Sequence, residues 1–181
     1  MAVENREILL GVTGSVAAYK AADLVSRLVK RGDGVTVAMT AAAGRFVGRT
    51  TFEALTTRPV YDDQWTAREH HQGEHIGLAA RADLYVIAPC SADMLGQLAA
   101  GLCGELVPLL ALTVECPIVI APAMNRAMWE KPSVQRNVAT LKGDGYLTVG
   151  PDDGWQSCRA IGTGRMSEPE AIVAAIDAAL S

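Results

Sequence analysis

Asn125 stands between two thioethers, Met124 and Met128, in the run Pro122-Ala-Met-Asn-Arg-Ala-Met-Trp129, directly after the apolar segment Ile118–Ala121. An amide offers both a hydrogen-bond donor and an acceptor, and methionine adapts to irregular apolar surfaces. Placed where a buried strand ends, such a set suits a ligand, because open α/β sheets bind ligands beyond the carboxyl ends of their strands. A helix cap at Asn125, with Met128 and Trp129 in the core, accounts for the same residues, and local chemistry alone favours it.

Cys158 lies in Gly154–Met166, a polar, glycine-rich segment that also holds Arg159 and Arg165. Neighbouring guanidiniums favour a thiolate and attract anions, and the glycines allow the segment to fold over a ligand or to remain a surface loop. Gly11-Val-Thr-Gly14-Ser15 joins a strand to a helix, where free backbone N–H groups make a phosphate site. With neither G-x-G-x-x-G nor the P-loop lysine present, a mononucleotide phosphate suits it better than a dinucleotide or ATP. Thr40 and Ser91 follow the next two strands and put hydroxyls on the same sheet edge as Ser15. Each of the three can equally be a helix cap. His70, His71 and His75 are close in sequence, but Gly73 interrupts a helical pairing of His71 with His75 and no carboxylate or cysteine pattern accompanies them. No metal site is expected there. A single histidine such as His75 can act as a base near neutrality or lie at the surface.

To converge, these residues need strand ends on one edge of a sheet. Apolar, β-branched runs predict strands at Glu7–Val12, Val35–Met39, Ala82–Pro89, Ile118–Ala121 and Tyr146–Val149. Helical spacing predicts helices over Val16–Lys30, Thr51–Leu55, Ile76–Arg81, Ala92–Ala100, Leu106–Val114, Ser133–Lys142 and Glu168–Leu180, with a short one after the turn Thr40–Ala42 ending at Phe46. Arg58–Gly73 and Gly150–Thr163 read as loops. Strands alternating with helices imply an α/β protein, a three-layer α/β/α arrangement on a parallel sheet.

A chain of 181 residues suits one domain, here with a flap at about residues 150–166. The net charge of −4 and the lack of a basic run interleaved with aromatics argue against nucleic acid as a partner. The apolar stretch Leu106–Val114 contains Pro108 and is too short to span a bilayer. No secretory signal opens the sequence, so a soluble, cytoplasmic protein without a membrane partner is expected. The four cysteines form no C-x-x-C pair and are expected to be free thiols, with Cys90, Cys103 and Cys116 as small core residues.

Four stretches taken in order carry a resemblance: Gly11–Lys20, His75–Asp83, Pro122–Trp129 and Gly154–Met166 with its cysteine. Together they resemble the homo-oligomeric flavin-containing cysteine decarboxylases, in the branch that decarboxylates phosphopantothenoylcysteine. The resemblance implies a flavodoxin-like (Rossmann-like) fold binding FMN. The phosphate would lie near Gly14, Ser15 and Val16, with further contacts from Thr40, Ser91, Ala92, Asp93 and Met94. It implies conversion of 4′-phosphopantothenoylcysteine to 4′-phosphopantetheine in coenzyme A synthesis. Thiol oxidation gives a thioaldehyde, whose C=S group accepts the electrons as CO2 leaves, and the resulting enethiol is then reduced. By the same resemblance Cys158 is the acid of the reductive step, His75 a base or electrostatic partner, and Asn125 the donor to the departing carboxylate. Met124, Met128 and Arg165 would complete the substrate pocket.

Three residues at two places depart from the family pattern. Asp93 and Met94 stand where Asn-Thr is usual, removing an amide donor and a hydroxyl, and Arg159 stands where a glycine usually follows the cysteine. Other branches remain as alternatives. Peptidyl-cysteine oxidative decarboxylases stop at the enethiol and lack the reductive cysteine. Flavin prenyltransferases need neither Asn125 in this motif nor Cys158. Phosphatase-inhibiting relatives usually carry acidic extensions, absent here. The expected protein is a decarboxylase without a fused synthetase domain, assembled as a homotrimer or homododecamer.

Overall fold

The computed structural model describes residues 6–66, 68–70 and 73–181. Five strands, β1 (Glu7–Val12), β2 (Gly34–Met39), β3 (Leu84–Cys90), β4 (Ile118–Pro122) and β5 (Leu147–Thr148), form a parallel sheet in the order β2-β1-β3-β4-β5. This is the flavodoxin-like strand order. β1 to β4 are buried on both faces, so each reads as a largely continuous apolar run rather than an alternating one.

Alternation along β1 assigns residues to the two helical layers. Ile8, Leu10 and Val12 face one core with Leu24, Val25 and Leu28 of α1 (Ala18–Lys30), Phe52 of α2 (Arg49–Thr56), and Ile172 and Ile176 of α8 (Pro169–Ala179). Leu9 faces the other, with Leu78 of α3 (Glu74–Arg81), Leu95 and Leu98 of α4 (Ala92–Ala99), Leu110 of α5 (Leu106–Thr113) and Leu141 of α7 (Pro132–Gly143). A four-residue helix, α6 (Arg126–Trp129), follows β4. Among the described residues no helix is long and apolar enough to cross a membrane.

The element predictions hold to within a few residues, with one correction. The segment expected to be an irregular loop over Gly150–Thr163 contains an antiparallel hairpin, β6 (Asp152–Trp155) and β7 (Ile161–Arg165). Its strands carry Gly154, Gly162 and Gly164 at φ of +156°, +155° and +142°, and with only Ile161 and Thr163 β-branched between glycines they show no apolar alternation. The first helix also begins at Ala18 rather than Val16, because Ser15 and the following turn take up its start.

Candidate active site

The carboxyl ends of β1, β2, β3 and β4 open into a cavity of about 330 Å³ lined by Gly14, Ser15, Thr40, Ser91, Ala92, Asp93 and Met94, with Met124 and Met128 across from them. The strand order reverses direction at β1 and β3, where the flanking loops part and leave a crevice. Thr13 braces the two sides: its hydroxyl donates to Pro89 O at 2.7 Å and accepts from Ser91 N at 3.0 Å. Gly14 permits the close approach of the next loop, since a Cβ there would lie 2.6 Å from that of Ala42.

The three hydroxyls act as caps. Ser15 Oγ accepts from Ala17 N at 3.2 Å, Thr40 Oγ1 from Ala43 N at 3.2 Å, and Ser91 Oγ from Met94 N at 3.2 Å. Capping uses an oxygen lone pair and leaves the hydroxyl hydrogen free to donate, so the cap and ligand roles coexist. No Lys or Arg lines this cavity, and Asp93 and Glu105 do. The Asp93 carboxylate accepts from Gln97 Nε2 at 2.7 Å. Neutral O–H donors in a glycine cradle fit a phosphate monoester, bound without a cationic partner from the described residues of this chain.

A second cavity, of about 560 Å³, adjoins the first and shares Ser15, Ala123 and Met124 with it. Its walls are the start of α1, the end of β4 and the β6–β7 hairpin. The hairpin is fastened to β4 by Met124 N donating to Gly164 O at 2.9 Å, and a Cβ on Gly164 would lie 2.4 Å from Met124 O. Only glycine allows that contact.

Asn125, Cys158 and Gln156 meet in this cavity. Asn125 Oδ1 accepts from Ala127 N at 2.7 Å and so caps α6. The cap fixes which end of the amide is oxygen, so Nδ2 faces Cys158 Sγ at 3.0 Å. Gln156, which has no assigned role from sequence, is buried. Its Oε1 accepts from Arg126 N at 3.0 Å and from the Cys158 thiol at 3.7 Å, and its Nε2 donates to Gly162 O and Thr163 O at 3.3 Å each. The thiol thus donates to one amide and accepts from another. A signal for Gln156 existed: it is the one long polar side chain between Trp155 and Cys158. The backbone at Arg159 accounts for the glycine usual at this position, and nothing in the structure explains the arginine. The turn from Gln156 to Ala160 places it at φ +66°, a left-handed conformation that costs a non-glycine residue about 1–2 kcal/mol.

Other expected site residues lie elsewhere. Val16 lines the larger cavity with Met124, Asn125 and Arg165, while Met128 lines only the smaller one. His75, in the first turn of α3, lines neither. His71 lies outside the described residues. His70 is a strap: its Nδ1 is 2.9 Å from Glu74 Oε1, and its ring lies so close over α3 that a Cβ on Gly77 would come within 2.0 Å of it. The buried Glu74 carboxylate also accepts from Arg68 N at 2.6 Å and Glu69 N at 3.2 Å. Burial opposes its ionisation, but these donors win and hold its carboxyl below the ordinary value. Among the other cysteines, Cys90 is buried and Cys116 partly so, and burial pushes both thiols up. Cys103, expected in the core, is instead exposed in the turn before α5. The short glycine-flanked segment around it buries no surface.

A family model described as Flavoprotein matches residues 2–181. The chain belongs to the flavoprotein family. The resemblance read from the four motifs is borne out by this flavoprotein's relatives. It is 42% identical over 171 residues to the coenzyme A biosynthesis bifunctional protein CoaBC of Bacillus subtilis, covering 94% of this chain and 42% of that protein. It is 44% identical over 170 residues to the CoaBC of Vibrio cholerae, covering 94% and 43%. The chain therefore spans less than half the length of these curated relatives. Among solved structures it is similar to a Cys-to-Ser variant of PPC decarboxylase complexed with pantothenoylaminoethenethiol. That match has a TM-score of 0.88 and 29% identity, covering 97% of this chain and 98% of the other. It is also similar to the FMN-dependent cysteine decarboxylase SpaF, with a TM-score of 0.83 and 33% identity over 97% and 95% of the two chains.

Proposed function

We propose that this flavoprotein is an FMN-dependent decarboxylase that converts 4′-phosphopantothenoylcysteine to 4′-phosphopantetheine in coenzyme A biosynthesis. The observation that carries the reading is the Asn125–Cys158 contact of 3.0 Å beside a strand-end cavity shaped for a phosphate monoester. Gly14, Ser15, Thr40, Ser91, Ala92, Asp93 and Met94 would hold FMN. When bound, FMN supplies the two-electron oxidation of the substrate thiol and the later return of a hydride.

The chain's own residues do the rest. Asn125 Nδ2, aimed by its cap, exchanges Cys158 Sγ for the substrate carboxylate and orients it for loss of CO2. Met124 and Val16 keep water from the reacting carbons. Cys158 gives its proton to the enethiol carbon, and Asn125 Nδ2 then stands ready to donate to the thiolate left behind. The cysteine favours this complete sequence over the oxidative peptidyl-cysteine branch. Asn125 and Cys158 together speak against a flavin prenyltransferase. The captured enethiol in a Cys-to-Ser PPC decarboxylase supports a cysteine acting after CO2 loss.

In the same reading the chain is one catalytic domain with the hairpin as its clamp, working as a cytoplasmic homo-oligomer, a trimer or a dodecamer. His75 would serve the site of a neighbouring copy. Its position away from both cavities supports this, as do the exposed apolar side chains of Val16, Tyr19 and Phe46 around the larger one. The test is mass spectrometry of the product. FMN-reconstituted protein, yellow from its flavin band, is expected to yield phosphopantetheine, and Cys158→Ser to release CO2 but accumulate the enethiol. A protein that binds no FMN, or a Cys158→Ser variant that makes normal phosphopantetheine, refutes the scheme.

A further inference from the structure

We infer that the base of the hairpin is a subsite for the phosphate end of the substrate, and that Glu168 occupies it in the free protein. The inference rests on the decarboxylase reading above. Lys20 lies on the same face of α1 as Leu24 and Leu28 and is 7% exposed. Its ammonium reaches the foot of the hairpin, where Nζ donates to Met166 O at 3.0 Å and to Glu168 Oε1 at 3.0 Å. Arg165 Nη2 lies 2.9 Å from the same Glu168 oxygen. Two cations thus converge on a single carboxylate oxygen at the wall of the larger cavity. Arg165 Nε is buried and has no hydrogen-bond partner among the described residues.

One carboxylate leaves that arrangement half used. A phosphate brings more negative charge and three acceptor oxygens, enough to engage the ammonium and two edges of the guanidinium at once. The Glu168 side chain is 46% exposed, so water can receive it when it turns away, while the incoming phosphate takes its place against the buried Lys20 ammonium and keeps that charge paired. Asp23, the other acid of this wall, is engaged by Arg27 Nε at 3.1 Å and does not compete.

The spacing agrees. Asn125 and Cys158 meet near the tip of the hairpin, and Arg165 ends β7. From Ile161 to Arg165 the strand advances at most about 13 Å. The extended pantothenoyl chain between cysteinyl carboxylate and phosphate, two amide-linked units and an ester, reaches roughly 12–15 Å. A substrate with its carboxylate on Asn125 therefore lays its phosphate at Lys20 and Arg165.

Calorimetric titration of the FMN-loaded protein with 4′-phosphopantetheine and with pantetheine, which differ only in the phosphate, tests this. The phosphorylated ligand is expected to bind at least about tenfold tighter. Arg165→Gln is expected to remove most of that preference, and Glu168→Gln to enlarge it about 3- to 10-fold by freeing both cations. A gain in affinity cannot arise from misfolding, so the second variant guards the first. Equal binding of the two ligands by the wild type overturns the subsite. So does an equal loss for both ligands in Arg165→Gln, or an unchanged preference in Glu168→Gln. CO2 release by the same preparation separates the two readings. Release without phosphate preference refutes the subsite alone, and absence of release refutes the decarboxylase and the subsite with it.

Discussion

Replacing Gln156 with Met keeps the volume of the side chain and removes every polar contact it makes. The Arg126 N–H, part-buried against the hairpin, loses its acceptor, which costs at most about 1–3 kcal/mol, the range for an unpaired buried donor. The carbonyls of Gly162 and Thr163 lose their shared donor, at about 0.5–1 kcal/mol together once water replaces it. The closed hairpin is therefore destabilised by about 1.5–4 kcal/mol, or roughly 10- to 700-fold in its closing equilibrium at 1.4 kcal/mol per decade. Hydrogen–deuterium exchange of the β6–β7 peptides should accelerate by that order, while peptides from β1 and β3 keep their protection. Because Gln156 also receives the Cys158 thiol, the product mixture should shift towards enethiol, with CO2 release falling less than phosphopantetheine formation. Unchanged hairpin exchange together with an unchanged product ratio would show that Gln156 neither closes the clamp nor positions the cysteine.

Two further outcomes are expected. Asn125→Asp retains the oxygen that caps α6 but loses the Nδ2 donor and sets a like charge against the substrate carboxylate, so decarboxylation should fall by about 100- to 1000-fold while Tm changes little; a variant with near-normal CO2 release contradicts the carboxylate role. Glu74→Gln should destabilise the protein by about 1–3 kcal/mol near neutrality, and because the Glu74 carboxyl is held below its ordinary value of 4.5, the benefit is full above that value and fades as the pH falls through the lower folded one. Urea titrations at about pH 6.5 and about pH 3.5 should show the gap between wild type and variant closing in acid, and a gap that widens there contradicts the assignment.

The sheet was legible because each buried strand is an uninterrupted apolar run, and its ends were marked by Ser15, Thr40 and Ser91, whose capping geometry also turns their hydroxyls to one edge. Asn125 was legible as either a cap or a ligand group, and the fold shows the cap, which also aims its Nδ2 at Cys158 Sγ. The hairpin was not, since strands built on Gly154, Gly162 and Gly164 carry no side-chain alternation. Gln156 and Lys20 escaped for a different reason. Their importance lies in contacts with residues far along the chain, Arg126 for one and Met166 and Glu168 for the other. Lys20 did leave a trace, a charge falling at the helical spacing of the buried Leu24 and Leu28. For His75 the sequence motif implies a role at the site, whereas its place on α3 leaves it out of both cavity linings.

The two cavities meet across Ser15, Ala123 and Met124, and Ala123 is the smallest side chain of that boundary. A side chain of one carbon there makes the wall an aperture. In the proposed reading, FMN held in the smaller cavity and substrate in the larger would face each other past this small side chain. Substrate and product would then pass through the larger cavity without unseating the flavin. A β-branched residue at this one position would insulate the two chambers, leaving both ligands bound and mute to each other.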